Sequence, residues 1–350
     1  MKATYHKYIL DFKRPSGTSR GVLTQKETWF IVLEKDGKKG IGECGVLRGL
    51  SMDDRPDYEI KLRWTCANIH LGEEQLWEAL IEFPSIQFGV EMAFQSLASV
   101  TPFELFPSDF VAGEKSIQIN GLVWMGEPSF MKEQIEEKLA QGFNCIKLKI
   151  GAIDFDKELE LLAFIRANFS PEQVEIRVDA NGAFSLNKAL VKITQLAGYV
   201  LHSIEQPIAK NNTDRMSELC KTTPLPIALD EELIGVFSFE DKERLLQKIM
   251  PQYIILKPSF IGGFRGTKEW ILLADKYQIG WWITSALESN IGLNAIAQWT
   301  YLQHNLMPQG LGTGALYTNN FDCPLQVSQG QLWYEKDRGW DFDFNQLETV

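Results

Sequence analysis

The 350-residue chain predicts an α/β fold, a (β/α) barrel preceded by an α+β capping domain. Three observations carry this prediction. Apolar runs end in marked residues at Lys147-Leu148-Lys149, Asp179-Ala180-Asn181, Glu205-Gln206-Pro207, Asp230-Glu231, Lys257-Pro258 and Thr284-Ser285. The steps from Lys149 are 30, 26, 25, 27 and 27 residues, each the length of one strand, one helix and two loops. Amphipathic stretches fill most of the intervals. Each marked residue therefore falls at the C-terminal end of a parallel strand, where such a barrel keeps its chemistry.

The first 112 residues lack this rhythm. Residues 5–12 alternate loosely, and residues 28–33 and 40–44 flank Asp36-Gly37, a strong hairpin signal. Helical patterns follow at 57–69, 73–83 and 88–100. Strands followed by helices make a small α+β unit, the cap. Residues 113–320 are assigned to the barrel. IQINGLVW is read as its first strand and FNCIKLKI as its second, with a helix over 128–141 between them. VEIRVDA, YVLHSIE, LPIALD, YIILKP, IGWWIT and MPQGLGTG supply strands three to eight, with helices at 156–168, 186–196 and 239–248. Residues 321–350 are expected to return to the cap, because WYEKDRGWDFDF is too aromatic for a solvated tail.

A net charge of −11 leaves no basic surface to meet phosphate, so a nucleic-acid partner is not expected. Five cysteines without a CxxC pair suggest a reducing compartment. The N-terminal MKATYHKYILDFKRP is too weakly apolar for a signal peptide, and no run approaches the ~18 apolar residues that cross a bilayer. The expectation is a soluble, cytoplasmic protein with no membrane partner.

Side-chain parity turns the strand ends into a site. In FNCIKLKI, Ile146, Leu148 and Ile150 share one face and Lys147 and Lys149 the other. The apolar face suits the surrounding helices, so both lysines point into the barrel. The same parity sends Arg177, Asp179, Glu205 and Asp230 inward. Three converging acids repel one another without a cation, and oxygen-only ligands select a hard divalent ion: Mg²⁺ foremost, with Mn²⁺ accepting the same set. None of the four histidines stands at a strand end, which disfavours zinc.

Lys257, on strand six, should face Lys149 across the site. The arrangement fits abstraction of a proton α to a carboxylate, with a neutral lysine as base. A lysine of ordinary pKa, about 10.4, is too basic for that role; the Lys147 charge beside Lys149 and a nearby cation should both lower it. Asn181, Gly262, Gly263, Thr284, Ser285 and Gly310, which follow the strand ends, are the candidate substrate contacts. Arg14-Pro15-Ser16-Gly17-Thr18-Ser19-Arg20 is a candidate mobile lid, and Arg14, Arg20 and Arg48 are potential carboxylate contacts. Taken singly, each short motif is commonly a turn or a solvated strand edge. Five charged strand ends in register are not.

These residues resemble the enolase superfamily, in the branch with lysines on barrel strands two and six. Its sites are a general pattern of a Lys or His base with one or two Mg²⁺ ions. Within that branch, Thr284-Ser285-Ala286-Leu287-Glu288-Ser289-Asn290-Ile291-Gly292 and the stretch from Lys257-Pro258 to Gly262-Gly263 look most like the o-succinylbenzoate synthase family of menaquinone biosynthesis. The resemblance implies metal ligation by Asp179, Glu205 and Asp230. It implies catalysis by Lys149 and Lys257 with Lys147 in support, acting on a small-molecule carboxylate.

The implied reaction is syn loss of water from 2-succinyl-6-hydroxy-2,4-cyclohexadiene-1-carboxylate. N-acylamino acid racemases, cycloisomerases and epimerases share the scaffold and stay as alternatives. A dipeptide substrate is disfavoured, because Gln309-Gly310-Leu311-Gly312-Thr313-Gly314 has no acid to hold its ammonium. A non-catalytic carboxylate-binding barrel would not need both lysines.

Overall fold

In the cap, three antiparallel strands run in the order β1 (Lys2–Thr18), β2 (Gly21–Lys35) and β3 (Lys38–Gly45). Asp36 and Gly37 join β2 to β3 with φ of 51° and 77°, the positive pair a tight hairpin requires. The computed structural model describes residues 1–18 and 21–347. Three helices follow, α1 (Tyr58–Ala67), α2 (Gly72–Ala79) and α3 (Pro84–Ala98). The apolar α3 is buried along most of its length between the cap sheet and the barrel. It crosses β3 so closely that a Cβ at Gly42 would lie 1.8 Å from the Gly89 carbonyl oxygen.

The expected lid differs in form. β1 and β2 run on through it, pairing Ser16 with Leu23 and Thr18 with Gly21 after a register shift between Asp11 and Ser16. It is therefore a hairpin end rather than a free loop. Ser19 and Arg20 lie outside the described residues.

The stretch expected as the first barrel strand splits in two. β4 (Ile117–Gln118) pairs with the C-terminal hairpin, and only β5 (Gly121–Val123) joins the barrel. The backbone changes partner between them: the Ile119 N–H donates to Gly330 O at 3.0 Å, the Asn120 N–H to Gln309 O at 2.9 Å.

Beyond α4 (Pro128–Ala140), strand and helix alternate: β6 (Cys145–Lys149), α5 (Phe155–Asn168), β7 (Glu175–Asp179), α6 (Ala189–Ala197), β8 (Ser203–Glu205), α7 (Thr213–Thr222), β9 (Ile227–Leu229), α8 (Phe239–Ile249) and β10 (Tyr253–Leu256). The short α9 (Pro258–Ile261), α10 (Gly263–Lys276), β11 (Gly280–Ile283) and α11 (Asn290–Tyr301) complete the series. β5 to β11 form one parallel sheet in sequence order.

The eighth strand is reduced to Gln309 and Gly310, which bridge Ile119 on one side and Thr284 on the other and so close the curled sheet. Side chains do part of the pairing there, since Gln309 Oε1 accepts from the Ile283 N–H at 2.7 Å.

The barrel's N-terminal end is plugged. Arg177 is almost wholly buried and lies over the Trp282 ring at 4.1 Å. It donates to Glu175 Oε1 at 2.7 Å and to Pro308 O at 2.8 Å. Only the other end is left for chemistry.

The C-terminal segment touches both units. β12 (Leu325–Ser328) pairs with β13 (Gln331–Tyr334), and β13 with β4, the short strand that leads into the barrel. Trp340 stacks on Phe103 at 4.1 Å, and Phe342 meets Phe103 and Phe321 edge-on. Phe321 in turn packs on Tyr8 and Phe30 of the cap. Each such aromatic pair contributes about 1 kcal/mol beyond its buried area. Among the described residues, no helix is long and apolar enough to cross a membrane.

Candidate active site

Strand register assembles the site. Lys149 pairs with Asp179 across β6 and β7, and Asp179 with Glu205 across β7 and β8, so the three stand in one row. Pleating sends Ile146 and Leu148 to the helices and both lysines inward, as parity requires. Lys149 Nζ lies 2.5 Å from Asp179 Oδ2 and 2.9 Å from Asn181 Oδ1. Lys147 Nζ sits 2.9 Å from the same Asp179 oxygen and forms a second ion pair with Glu205. Lys257 pairs with Asp230.

These charges set one another's proton affinity. Burial opposes ionisation of Asp179, but Lys147 and Lys149 overcome it and hold the carboxyl well below the usual range. Burial and then the Asp179 charge push Glu205 well above it. Burial pulls Lys147 down, yet Asp179, Glu205 and Asp230 together outweigh it and raise the ammonium. Lys257 is raised against burial in the same way, by Asp230 first and Glu205 second. At these two lysines the facing acids, not the neighbouring ammonium groups, decide the sign.

Asn181 and Gln206 brace the acids. Asn181, at φ 44°, donates its N–H to Asp179 Oδ1 at 2.9 Å and its amide Nδ2 to Glu231 Oε1 at 3.0 Å. Gln206 Oε1 accepts from the Asp230 and Glu232 N–H groups at 3.2 and 3.3 Å, tying β8 to the turn after β9.

Asp179, Glu205 and Asp230 are gathered on one wall but closed onto lysines. Among the described residues no three His, Cys, Asp or Glu groups converge as a ready cage for a metal. The donor set nevertheless fits a hard divalent ion. All ligands are oxygen, and Glu205 is buried with neither oxygen meeting a donor in hydrogen-bond geometry, Lys147 contacting Oε2 only as an ion pair.

Above this wall lies a cavity of about 180 Å³, lined by Lys147, Lys149, Lys257, Asn181, Thr284, Ser285 and Gly310. Thr284 Oγ1 donates to Gly310 O at 2.9 Å, and Ser285 Oγ pairs with Thr313 Oγ1 at 2.7 Å. Arg48 reaches the rim, held at 2.7 Å by Glu27 and 2.6 Å by Asp54.

Gly262 and Gly263 were expected at the substrate and are not there. A Cβ on Gly262 would meet Gln87 and Trp77, and one on Gly263 would meet the Glu91 carboxylate at 2.0 Å. Their lack of side chains admits the cap, not a ligand.

The apolar wall was missed. Asn120, Leu122 and Trp124 line it at every second position, a period-two signal present in IQINGLVW. Phe260 and Leu287 from the barrel, with Leu23, Leu47 and Leu50 from the cap, complete it. No local pattern marks these five.

Comparison with known proteins places this geometry. Residues 130–346 match the family described as Enolase C-terminal domain-like, and residues 1–97 match MenC, N-terminal domain. The chain is 50% identical over 363 residues to an o-succinylbenzoate synthase of Desulfotalea psychrophila, covering 95% of this chain and 98% of that one. The crystal structure of MenC from Desulfotalea psychrophila LSv54 superposes with a TM-score of 0.85 at 46% identity, over 95% of this chain and 99% of that one. A D-Ala-D/L-Ala epimerase of Cytophaga hutchinsonii is a more distant relative, 27% identical over 83% of this chain and 81% of its own. The chain thus belongs to the enolase superfamily and, within it, to the o-succinylbenzoate synthase family.

Proposed function

We propose that the protein removes water from 2-succinyl-6-hydroxy-2,4-cyclohexadiene-1-carboxylate to give o-succinylbenzoate, a step of menaquinone biosynthesis. The observation that carries this reading is the charge of the cavity wall. Among the described residues it presents Lys147, Lys149, Lys257 and Arg48 and no carboxylate side chain, with the rest largely apolar. That suits a substrate with a hydrocarbon ring and two carboxylates, and leaves an ammonium without a partner.

Asp179, Glu205 and Asp230 would hold the divalent ion, Mg²⁺ foremost, which when bound supplies positive charge to the ring carboxylate. Lys149, as the neutral amine, takes the proton from C1 of the ring. Lys257, as the ammonium, faces the carboxylate on which negative charge develops. Lys149 then returns the proton to the C6 hydroxyl, which leaves as water while the C1–C6 double bond forms and the ring becomes aromatic. Lys147 holds Asp179 and Glu205 in place, and Asn181 orients the Lys149 amine.

Purified protein with Mg²⁺ should consume the conjugated diene of the substrate, and a sample treated with EDTA should not. Absence of conversion with metal present sinks the reading. One observation favours a second activity: both lysines reach the cavity, as racemisation of an N-acylamino acid requires. Incubating an N-succinylamino acid in D₂O and looking for α-deuterium tests it.

A further inference from the structure

Lys149 is the last residue of β6, and residues 150–153 turn from it into α5. The Ile150 N–H donates to Asp179 O at 2.8 Å, extending the ladder one residue past the lysine. At Gly151 the turn packs against the segment that follows Asp179 and Asn181, where an added Cβ would lie 2.6 Å from the Ala183 Cβ. Glu158 reaches back from the first turn of α5. Its Oε1 accepts from the Gly151 N–H at 2.5 Å, and the Ala152 and Ile153 amides face the same carboxylate. Only 2% of Glu158 is exposed. Oε2 is buried and meets no donor in hydrogen-bond geometry, so the Gly151 N–H makes the bond that ties the turn to the carboxylate, with the other two amides close by.

We propose that Glu158 is a positioning residue for Lys149: its buried carboxyl group fixes the turn after the lysine through the Gly151 N–H, and so the placing of the amine against Asp179 and Asn181. This rests on the dehydration reading above. Glu158 never touches the cavity wall, so it acts through the turn alone.

The surroundings make that hold depend on pH. Burial pushes Glu158 up to about 7, against the Gly151 bond and Lys192, which pull it down. Lys192, on α6, is the charged side chain facing it from the neighbouring helix, and its ammonium also lies over Phe155 and Phe184 at 4.4 and 4.6 Å. Asp154 and Asp156, on its own element, meet at the helix start, where Asp154 Oδ1 accepts the Asp156 N–H. The folded value stands above the ordinary 4.5, so the stability this group lends is complete below that value and lost as pH rises through about 7. At working pH the charge is kept at a cost to stability. Protonation removes that cost, and a single O–H can turn away from the amides, so acid favours the closed turn and ionisation loosens it.

The test compares wild type, Glu158→Gln and Glu158→Asp by amide hydrogen exchange over residues 150–154 and by the pH profile of kcat. In wild type, exchange at Gly151, corrected for its intrinsic pH dependence, should slow about tenfold as pH falls from roughly 8 to 6. KM should hold within about twofold, and Glu158→Gln, whose amide NH2 faces the Ala152 and Ile153 N–H groups, should lack this pH dependence of exchange. Glu158→Gln should show fast exchange and kcat lowered about tenfold at every pH, with Glu158→Asp restoring part of both. Wild-type exchange in Glu158→Gln overturns the proposal, as does loosened exchange with an unchanged kcat profile. If wild type fails to convert the substrate, the dehydration reading fails by itself, and exchange still decides whether Glu158 holds the turn.

Discussion

Glu43 and Glu91, from adjoining elements of the cap, each close the start of a different barrel helix. Glu43 Oε1 accepts from the Ser289 N–H at 2.9 Å, and its Oε2 accepts from the Gly292 N–H at 2.9 Å and from Ser289 Oγ, ahead of and within α11. Glu91 accepts from the Phe264 and Arg265 N–H groups at 2.5 and 3.1 Å at the start of α10. A helix N-terminus carries unpaired amides and partial positive charge, so a buried carboxylate is a fitting partner. The cap is thus bonded to the helices that follow the Lys257 and Thr284 strands, and its leucines are brought over the cavity by the same contacts.

Glu43→Gln should therefore destabilise the protein by about 2 kcal/mol. A neutral amide keeps one acceptor where the carboxylate had two, and charge-assisted bonds are worth about 1.5–3 kcal/mol each. Urea unfolding gives the difference. A midpoint equal to wild type would mean that Glu43 does not hold the cap to α11.

Glu91 yields a pH prediction. Burial raises it to about 8, against the Arg265 and Phe264 amides that lower it. Because the folded value lies above the ordinary 4.5, the fold binds this proton more tightly than the unfolded chain. Its contribution to stability is complete below that value and is lost as pH rises through about 8. Glu91→Gln cannot ionise, so its stability relative to wild type should improve by up to about 3 kcal/mol from pH 5 to pH 9. Parallel melting curves at both ends of that range decide it; an unchanged gap would show that Glu91 does not titrate there.

The charged strand ends were legible because period-two parity and βα spacing are local properties. Lys147, Lys149, Asp179, Glu205, Asp230 and Lys257 needed no knowledge of distant partners to be placed. What failed depends on segments far apart in the chain. Gly262-Gly263 signals a close backbone approach, but nothing near it says whether the visitor is a ligand or Trp77 and Glu91. IQINGLVW reads as one strand until Gly330 and Gln309, some two hundred residues later, claim its two halves. The cap leucines over the cavity are likewise set by contacts such as Glu43 with Ser289, separated by 246 positions.

Gly42 tests the packing of cap strand on cap helix. A methyl group there meets backbone, the Gly89 carbonyl at 1.8 Å and the Ala93 nitrogen at 2.8 Å, so no rotamer change relieves it. Gly42→Ala should cost about 3 kcal/mol or more, the upper range for overpacking. Its effect on kcat/KM should be large, because β3 also carries Glu43. Soluble protein with wild-type melting and turnover would show that β3 and α3 can separate without harm.

The lysines separate binding from chemistry. Lys149→Ala removes the proposed base but leaves Lys257, Lys147 and Arg48 to meet the carboxylates, so affinity for o-succinylbenzoate should change less than about threefold while kcat falls by about 10³ or more. Asp179→Asn should act differently. It removes the charge that Lys147 and Lys149 share, leaving Lys149 without its ion pair and Lys147 with Glu205 alone, and should lower divalent-ion affinity, turnover and stability together. Calorimetric titration with Mg²⁺ and with product separates the two variants. If Lys149→Ala still turned over at the wild-type rate, the base would be elsewhere. If Asp179→Asn bound Mg²⁺ as tightly as wild type, the metal would not be held by the row of acids that β7 and β8 align.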